Sequence, residues 1–294
     1  MNNNYRGRFA PSPTGPLHFG SLIAAVGSYL EAHHHAGQWL LRMEDLDPPR
    51  EMKGAADDIL RCLQAFGFEW QGEVLYQSQR QQAYIAAIEQ LTDNGLTFAC
   101  QCSRKQLNGF AVYPGHCHPR TIADNPNNAI RLLTQNPPQL IQFKDRLQGH
   151  QQQNIATEVG DFVIRRADGL FAYQLAVVVD DAEQGITEVV RGSDLLSVTP
   201  RQIYLQHALG LNTPHYGHLP IAINSNGEKL SKQTFAKPLN SDQPTPQLWM
   251  ALTFLGQNPP SELQHDRLEI LWQWAKQHWQ WSNIPPAAAI APNY

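Results

Sequence analysis

Apolar and polar positions divide the first part of the chain into alternating strands and helices. Residues 4–10 alternate in character and stop at a run of prolines and glycine, which predicts a strand followed by a loop. Aliphatic residues recur at helical spacing over 19–32, and the apolar run 39–43 predicts a second strand. A second helical pattern covers about 54–66. This order predicts an α/β fold with a Rossmann-like, doubly wound parallel sheet.

The middle of the chain interrupts that pattern. Residues 79–94 have helical spacing and are followed by Gly95, which favours the end of a helix. Residues 98–160 are rich in proline, asparagine and glutamine and contain three clustered cysteines, so irregular structure is expected there. We interpret this stretch as an inserted subdomain.

Strand character returns after the insertion and gives way to helices. The predicted strands are 162–166, 171–179 and 186–191. The predicted helices are 199–209, 248–255 and 263–280. The predicted division is a sheet domain formed by 1–97 and 161–235, an insertion at 98–160, and a helical stem at 236–294.

Composition and charge narrow the class of protein. The chain has 294 residues, of which 42% are hydrophobic and 16% charged, so a globular fold is expected. The formal net charge of -4 excludes a uniformly basic surface, so any contact with nucleic acid must use local patches. No apolar run approaches the roughly 18–20 residues of a membrane span, and the N-terminus lacks the apolar core of a signal peptide. A cytoplasmic protein with no membrane contact is expected.

Two segments have the character of a nucleotide site. The Pro- and Gly-rich loop 11–21 joins a strand to a helix, where backbone N–H groups and the helix N-terminus favour phosphate. His18 is placed to donate to that phosphate, and Gly20 leaves room for an adenine ring. Lys229 and Lys232 are suited to pyrophosphate. Taken singly, the loop reads as a turn and the lysines as solvated charge.

Together these segments resemble the signatures of the class I aminoacyl-tRNA synthetases. His18-Phe19-Gly20-Ser21 stands for His-Ile-Gly-His, and Lys229-Leu230-Ser231-Lys232-Gln233 stands for Lys-Met-Ser-Lys-Ser. The segments 8–15, 42–47 and 190–196 resemble the glutamyl branch specifically. The departures at Phe19, Ser21 and Gln233 leave His18 and Lys232 intact.

The resemblance implies roles for particular residues. It implies ATP contacts, with Mg²⁺ carried by the nucleotide, at His18, Gly20, Ser21, Lys229, Ser231 and Lys232. It implies catalytic contributions from His18, Gly20, Lys229 and Lys232. It implies L-glutamate contacts at Arg8, Phe9, Ala10, Pro11, Ser12, Glu44, Tyr173 and Arg191. An arginine suits each substrate carboxylate and an acid suits the ammonium, but which arginine meets which carboxylate stays open.

The resemblance covers about residues 5–240 and leaves no room for a long anticodon-binding domain. In this the chain looks like the truncated paralogues of the glutamyl enzymes, the glutamyl-Q tRNA(Asp) synthetases. That family implies tRNA-independent formation of glutamyl-adenylate and transfer of glutamate to queuosine in the anticodon loop of tRNA(Asp). We expect the chain to be a monomer. Two alternatives remain: a glutamyl-tRNA synthetase fragment that charges a tRNA 3′ end, and a non-catalytic RNA-binding paralogue.

Three cysteines in the insertion have the spacing of a metal site. Cys100, Cys102 and Cys117 offer thiolates, and tetrahedral zinc needs a fourth ligand. Ligand chemistry favours His116 or His118, whereas the pattern of the truncated family implies Tyr113. We expect one structural Zn²⁺ held by the three cysteines and Tyr113. The alternative is three unliganded thiols in a reducing compartment.

Overall fold

The computed structural model describes residues 5–118, 127–135, 139–224, 227 and 237–291. Its first half has the predicted order of strand and helix. The elements are β1 Arg6–Phe9, α1 Phe19–His34, β2 Gln38–Met43, α2 Ala55–Ala65 and β3 Leu75–Tyr76. β1 pairs with β2 and β2 with β3, both in parallel. The parallel sheet predicted from this part of the sequence is confirmed.

The insertion is more regular than expected. It follows α3 Gln81–Asp93 and contains β4 Thr97–Cys100, β5 Ala129–Leu132, β6 Leu140–Asp145, β7 Gly149–Asn154 and the short α4 Ile155–Glu158. β4, β5 and β8 (Phe162–Arg165) form an antiparallel sheet, which extends past the expected boundary at 160, and β6 pairs with β7 as a hairpin. The expectation of irregular structure throughout 98–160 is therefore wrong. The glutamine-rich β7 has no apolar alternation, and its strand form depends on the backbone ladder with β6.

The parallel sheet resumes later than the sequence suggested. The elements are α5 Tyr173–Glu183, β9 Glu188–Gly192, α6 Thr199–Leu209 and β10 His215–Leu219. The strand predicted over 171–179 is wrong, because α5 occupies most of it. Its residues Leu175, Ala176, Val177 and Val178 are all buried, and a continuous apolar run fits a buried helix as well as a buried strand.

The two halves of the sheet meet between β1 and β9. β9 pairs with β10 in parallel, and the backbone N–H of Thr187 donates to the carbonyl of Arg6 at 3.0 Å. β1 therefore lies between β2 and β9. The chain first extends the sheet on the β2 side of β1 and later extends it on the β9 side. In such a sheet, ligands bind beyond the carboxyl ends of the strands at this reversal.

Helix α1 covers this junction at close range. A Cβ added to Gly27 would lie 2.5 Å from Leu219 Cδ1 on β10, so glycine allows the helix to approach the strand. The main core surrounds α1 and includes Leu30, Leu41 and Leu252. A second core lies under α5 and α6. This close packing fixes the first turn of α1 relative to the sheet.

The C-terminal part contains helices and a short strand that pairs with an earlier one. The elements are β11 Ile221–Ala222, α7 Pro244–Phe254, α8 Leu268–His278 and β12 Ala289–Ile290. β12 pairs with β11 in parallel, with Ala289 opposite Ile221, although the Pro/Ala-rich sequence gave no sign of a strand. Within the described ranges, no helix combines the length and apolarity needed to cross a membrane.

Candidate active site

One cavity of about 530 Å³ brings the expected site residues together. It lies beyond the carboxyl ends of β1 and β9, beside the start of α1. Its lining includes Arg8, Phe9, Ala10, Pro11, Ser12, His18, Gly20, Ser21, Glu44, Tyr173 and Arg191. These are all the residues expected to contact glutamate and the described ones expected to contact ATP. Lys229, Ser231, Lys232 and Gln233 lie outside the described residues.

The loop between β1 and α1 is held by backbone hydrogen bonds. The carbonyl of Pro11 accepts from Glu44 N–H at 3.0 Å, and that of Pro13 accepts from Met52 N–H at 3.0 Å. Pro and Gly favour such a turn because they restrict or permit unusual backbone angles, and Gly15 has φ of 136°. The loop thereby delivers His18 to the N-terminus of α1, where helix geometry favours an anion.

The chain re-enters the described structure beside His18 after the segment that contains the lysine motif. His18 and Pro238 form an antiparallel bridge, and Leu239 N–H donates to the carbonyl of Leu17 at 2.9 Å. The two nucleotide signatures are far apart in sequence. In the structure, the first signature contacts the residues that follow the lysine motif.

Two buried arginines, of which Arg8 lines the cavity, share one carboxylate behind it. Arg8 donates to both oxygens of Asp181, at 3.1 and 3.3 Å, and Arg42 donates to Oδ1 of Asp181 at 2.7 Å. Burial tends to raise the pKa of Asp181, but the two guanidinium groups hold that pKa below its usual value. Arg8 therefore enters the site as part of an ion cluster, which the sequence analysis missed. The acids Asp180 and Asp181, which directly follow the apolar run 171–179, were the available signal.

Glu44 is paired less closely than Asp181. Its side chain is 9% exposed, and its ion pair with Arg42 spans 3.8 Å. Burial raises the pKa of Glu44 to about 7 even though Arg42 and Arg8 act to lower it. Burial, with the nearby charge of Glu44, also raises the pKa of Tyr173 to about 12, so its phenol stays protonated. A cation placed beside Glu44 would favour the charged form that burial disfavours.

Two of the three guanidinium nitrogens of Arg191 are in use, and one has no partner within the described residues. Its Nε donates to His218 Nε2 at 3.0 Å. Its Nη2 donates to Thr199 Oγ1 and Gln202 Oε1, each at 2.8 Å. Nη1 is buried and has no hydrogen-bond partner anywhere in the part of the chain that the structure describes. Because buried donors are costly when unpaired, this nitrogen favours an anionic ligand. Thr199, Gln202 and His218 were not identified from sequence.

The charges of this cluster fit a substrate that is anionic and also carries an amine. Three guanidinium groups, of Arg8, Arg42 and Arg191, face two carboxylates, of Glu44 and Asp181. The cluster has an excess of one positive charge when Glu44 is ionised. An amino acid with a second carboxylate has the complementary excess of one negative charge at neutral pH.

The three cysteines of the insertion form a compact group. Their sulfurs lie within 4.8 Å of one another, and the Cys102 and Cys117 sulfurs are 3.5 Å apart. The Tyr113 phenol oxygen lies 3.5 Å from Cys100 Sγ and 3.7 Å from Cys102 Sγ. Tetrahedral zinc with Zn–S of about 2.3 Å and Zn–O of about 2.0 Å spaces its sulfurs about 3.8 Å apart and places the oxygen about 3.5 Å from each. The four side chains therefore fit zinc.

The histidines near this group face other rings. His116 meets the edge of Phe110 at 5.9 Å between ring centroids, and His118 lies 5.5 Å from Phe98. Neither belongs to the group of potential metal ligands, in which no described His, Asp or Glu joins the cysteines. Arg131 stacks 4.0 Å from the ring centroid of Tyr113 and fixes that phenol beside the sulfurs.

Comparisons with known proteins show the family to which the chain belongs. The family model for the catalytic domain of class I tRNA synthetases (E and Q) matches residues 4–111 and 117–253. A protein of Dechloromonas aromatica called glutamyl-Q tRNA(Asp) synthetase is 54% identical over 99% of both chains. A protein of the same name from Ectopseudomonas mendocina is 54% identical over 99% of this chain and 98% of its own.

Solved structures show the same fold. A glutamate-tRNA synthetase from Elizabethkingia anophelis superposes with a TM-score of 0.79 at 23% identity, over 98% of this chain and 68% of that one. A glutamate tRNA ligase from Elizabethkingia meningosepticum, solved in complex with its amino acid, gives a TM-score of 0.78 at 24% identity, over 98% of this chain and 67% of that one.

Proposed function

Because the chain belongs to the class I tRNA synthetases (E and Q), in the branch called glutamyl-Q tRNA(Asp) synthetases, we propose that it activates L-glutamate with ATP and transfers it to queuosine in tRNA(Asp). The observation that carries the glutamate assignment is that Arg191 and Glu44 line the same cavity. The unpartnered Nη1 of Arg191 takes a substrate carboxylate, and Glu44 takes the ammonium. Tyr173 donates to the bound amino acid from the same wall.

In the first step, an oxygen of the glutamate α-carboxylate attacks the α-phosphorus of ATP. The bond between the α-phosphorus and the oxygen that bridges the α- and β-phosphates breaks, and pyrophosphate leaves with the electron pair of that bond. His18 and the N-terminus of α1 stabilise the charge on the α-phosphate, with Gly20 and Ser21 beside the nucleotide. We assign Lys229, Ser231 and Lys232 to the leaving pyrophosphate, with Mg²⁺ brought by ATP.

In the second step, a hydroxyl oxygen of the queuosine cyclopentene ring attacks the activated carbonyl carbon. AMP leaves with its electron pair, and the hydroxyl proton passes to the departing phosphate or to water. No enzyme nucleophile is required, because the adenylate is already activated. The protein contributes position and charge stabilisation to both steps.

Transfer of labelled glutamate tests this function directly. The protein is incubated with ATP, labelled glutamate and one of three RNAs: tRNA(Asp) with queuosine, the same tRNA lacking queuosine, and tRNA(Glu). We expect label on the first RNA alone. Label on tRNA(Glu) would assign 3′-end charging instead, and label on none would support a non-catalytic protein.

For the insertion, we propose one structural zinc ion held by Cys100, Cys102, Cys117 and Tyr113. Burial alone would raise the pKa of Cys117, but hydrogen bonds from the Gln101 backbone, Tyr113 and the neighbouring cysteines lower it to about 7. Burial raises the pKa of the neighbouring Cys102 to about 11, so Cys117 is the first of this pair to ionise. A thiolate is the form that binds metal. The ion would crosslink the end of β4 to the segment around residue 117, in a region with few buried apolar side chains.

Substitution of one ligand is expected to remove the metal. Cys117→Ser should reduce bound zinc, measured by mass spectrometry of the metal, from one per chain to a small fraction, and should lower the midpoint of thermal unfolding by several degrees. Cys62→Ser is the matched control, since Cys62 is buried on α2 outside the group. Full zinc occupancy in Cys117→Ser would contradict the assignment.

A further inference from the structure

Behind Arg191, a buried chain of polar side chains leads to the inserted hairpin. His218 on β10 is fully buried, and its Nδ1 lies 2.6 Å from Oδ2 of Asp145, the last residue of β6. On its other side, Nε2 lies 3.0 Å from Nε of Arg191. Asp145 is only 1% exposed. The imidazole thus connects a carboxylate of the insertion to the arginine of the proposed glutamate pocket.

Hydrogen-bond chemistry favours one arrangement of protons in this chain, in which His218 Nε2 accepts from Arg191 and also lies 3.1 Å from Thr199 Oγ1. The Nε of Arg191 is always a donor, so His218 Nε2 must accept and carry no proton. The proton of the neutral ring therefore sits on Nδ1 and is donated to Asp145. Burial lowers the pKa of His218, and the hydrogen bond with Asp145 offsets only part of that effect. Geometry and environment agree on a neutral imidazole with one defined tautomer.

Asp145 is itself rigidly held, and only one of its oxygens serves the histidine. Oδ1 accepts backbone N–H groups from Gln148 at 2.8 Å, Leu147 at 3.0 Å and His218 at 3.2 Å. Oδ2 accepts the imidazole proton. The turn that follows β6 therefore fixes the position of the carboxylate. Through its hydrogen bond to Nδ1, the carboxylate fixes the orientation of the His218 ring.

We propose that Asp145 and His218 are positioning residues for glutamate, which fix the guanidinium plane of Arg191 so that Nη1 points at a substrate carboxylate. This inference rests on the proposed function of Arg191. Thr199 and Gln202 hold Nη2, but Nε is held by His218 within the described structure. Two anchored nitrogens define the plane of the group, whereas one alone leaves it free to turn. The inserted hairpin thereby contributes to amino-acid recognition from behind the pocket.

Asp145→Asn tests this inference, because it keeps the shape and reverses one hydrogen bond. The amide oxygen stays with the backbone N–H groups that Oδ1 now accepts, so the amide NH₂ faces His218 Nδ1. The ring must then accept at Nδ1 and place a proton on Nε2, directly against the Nε–H of Arg191. An Asp→Asn change behind a histidine can thus impose the wrong tautomer with little change in geometry.

The expected result is specific to glutamate. In ATP–pyrophosphate exchange, Asp145→Asn should raise KM for glutamate by about 10- to 100-fold, the range found for side chains that orient metal-binding residues. The KM for ATP should stay unchanged. His218→Gln is expected to preserve most of the affinity, because its amide can accept from Arg191 and donate to Asp145.

Asp161→Asn is the matched control. Asp161 is another buried acid, just after the insertion, bonded to Thr134 of the insertion rather than to a residue of the cavity. Its loss is expected to lower thermal stability without raising KM for glutamate. Equal effects of Asp145→Asn and Asp161→Asn on KM, or no effect of either, would assign Asp145 a purely structural role.

Calorimetric titration with glutamate separates this inference from the proposed function. Failure of the unaltered protein to bind glutamate would overturn the proposed function. Glutamate binding of equal strength by the unaltered protein and by Asp145→Asn would overturn the inference alone.

Discussion

Replacement of Arg191 by lysine is expected to lower kcat/KM for glutamate-dependent ATP–pyrophosphate exchange by about 100- to 1000-fold, since breaking a buried charged hydrogen-bonded pair costs about 2–5 kcal/mol. Lysine keeps the positive charge but lacks the planar fork. Its single ammonium cannot satisfy His218, Thr199 and Gln202 and also bind the substrate carboxylate that Nη1 is free to take. Charge alone is therefore insufficient at this position.

The measurement is the exchange rate at varied glutamate and fixed, saturating ATP. Arg61→Lys is the matched control, because Arg61 lies on α2 with a side chain that is 67% exposed. Activity in Arg191→Lys within a few fold of the unaltered protein would show that the free nitrogen of Arg191 does not bind substrate. A thermal unfolding curve for each variant separates loss of binding from loss of fold.

The parts of the site that sequence could predict are those carried by one continuous segment. The loop before α1 is recognisable because Pro11, Pro13 and Gly15 set its backbone locally, and His18 follows at a fixed distance. Glu44 is recognisable because it directly follows an apolar strand. The helical spacing that predicts α1 also places Gly20 and Ser21 in its first turn. In each case the functional residues belong to, or directly adjoin, the short segment whose pattern predicts the local structure.

The partners of those residues were not predictable, because they come from distant parts of the chain. Asp181 follows Arg8 by 173 positions, and Asp145 precedes His218 by 73. Each is an ordinary acid until the fold buries it beside a cation. The sequence pattern was misleading for the same reason at α5. Its apolar run fits both strand and helix periodicity, and packing in the second core determines that the segment is a helix.

The raised pKa of Glu44 leads to a prediction about pH. In the empty site that pKa is about 7, because burial disfavours the charged form. The substrate ammonium favours the charged form, so glutamate binding should release a proton when the pH is below about 7. The dissociation constant should therefore increase as the pH falls from 7 toward 5.5, approaching about tenfold per pH unit, and should be nearly constant above pH 7.5.

Glu44→Gln is expected to weaken glutamate binding at pH 8 by about 100-fold, because the ammonium loses a charged partner in a buried site. The same change should abolish the pH dependence, since the amide does not titrate. Calorimetry in two buffers of different ionisation enthalpy measures both the affinity and the released proton, and Glu73→Gln, at an exposed position, serves as the control. Retention of the pH dependence in Glu44→Gln would mean that another group titrates with binding. The pairing of the ammonium with Glu44, and with it the orientation of glutamate toward Arg191, would then be wrong.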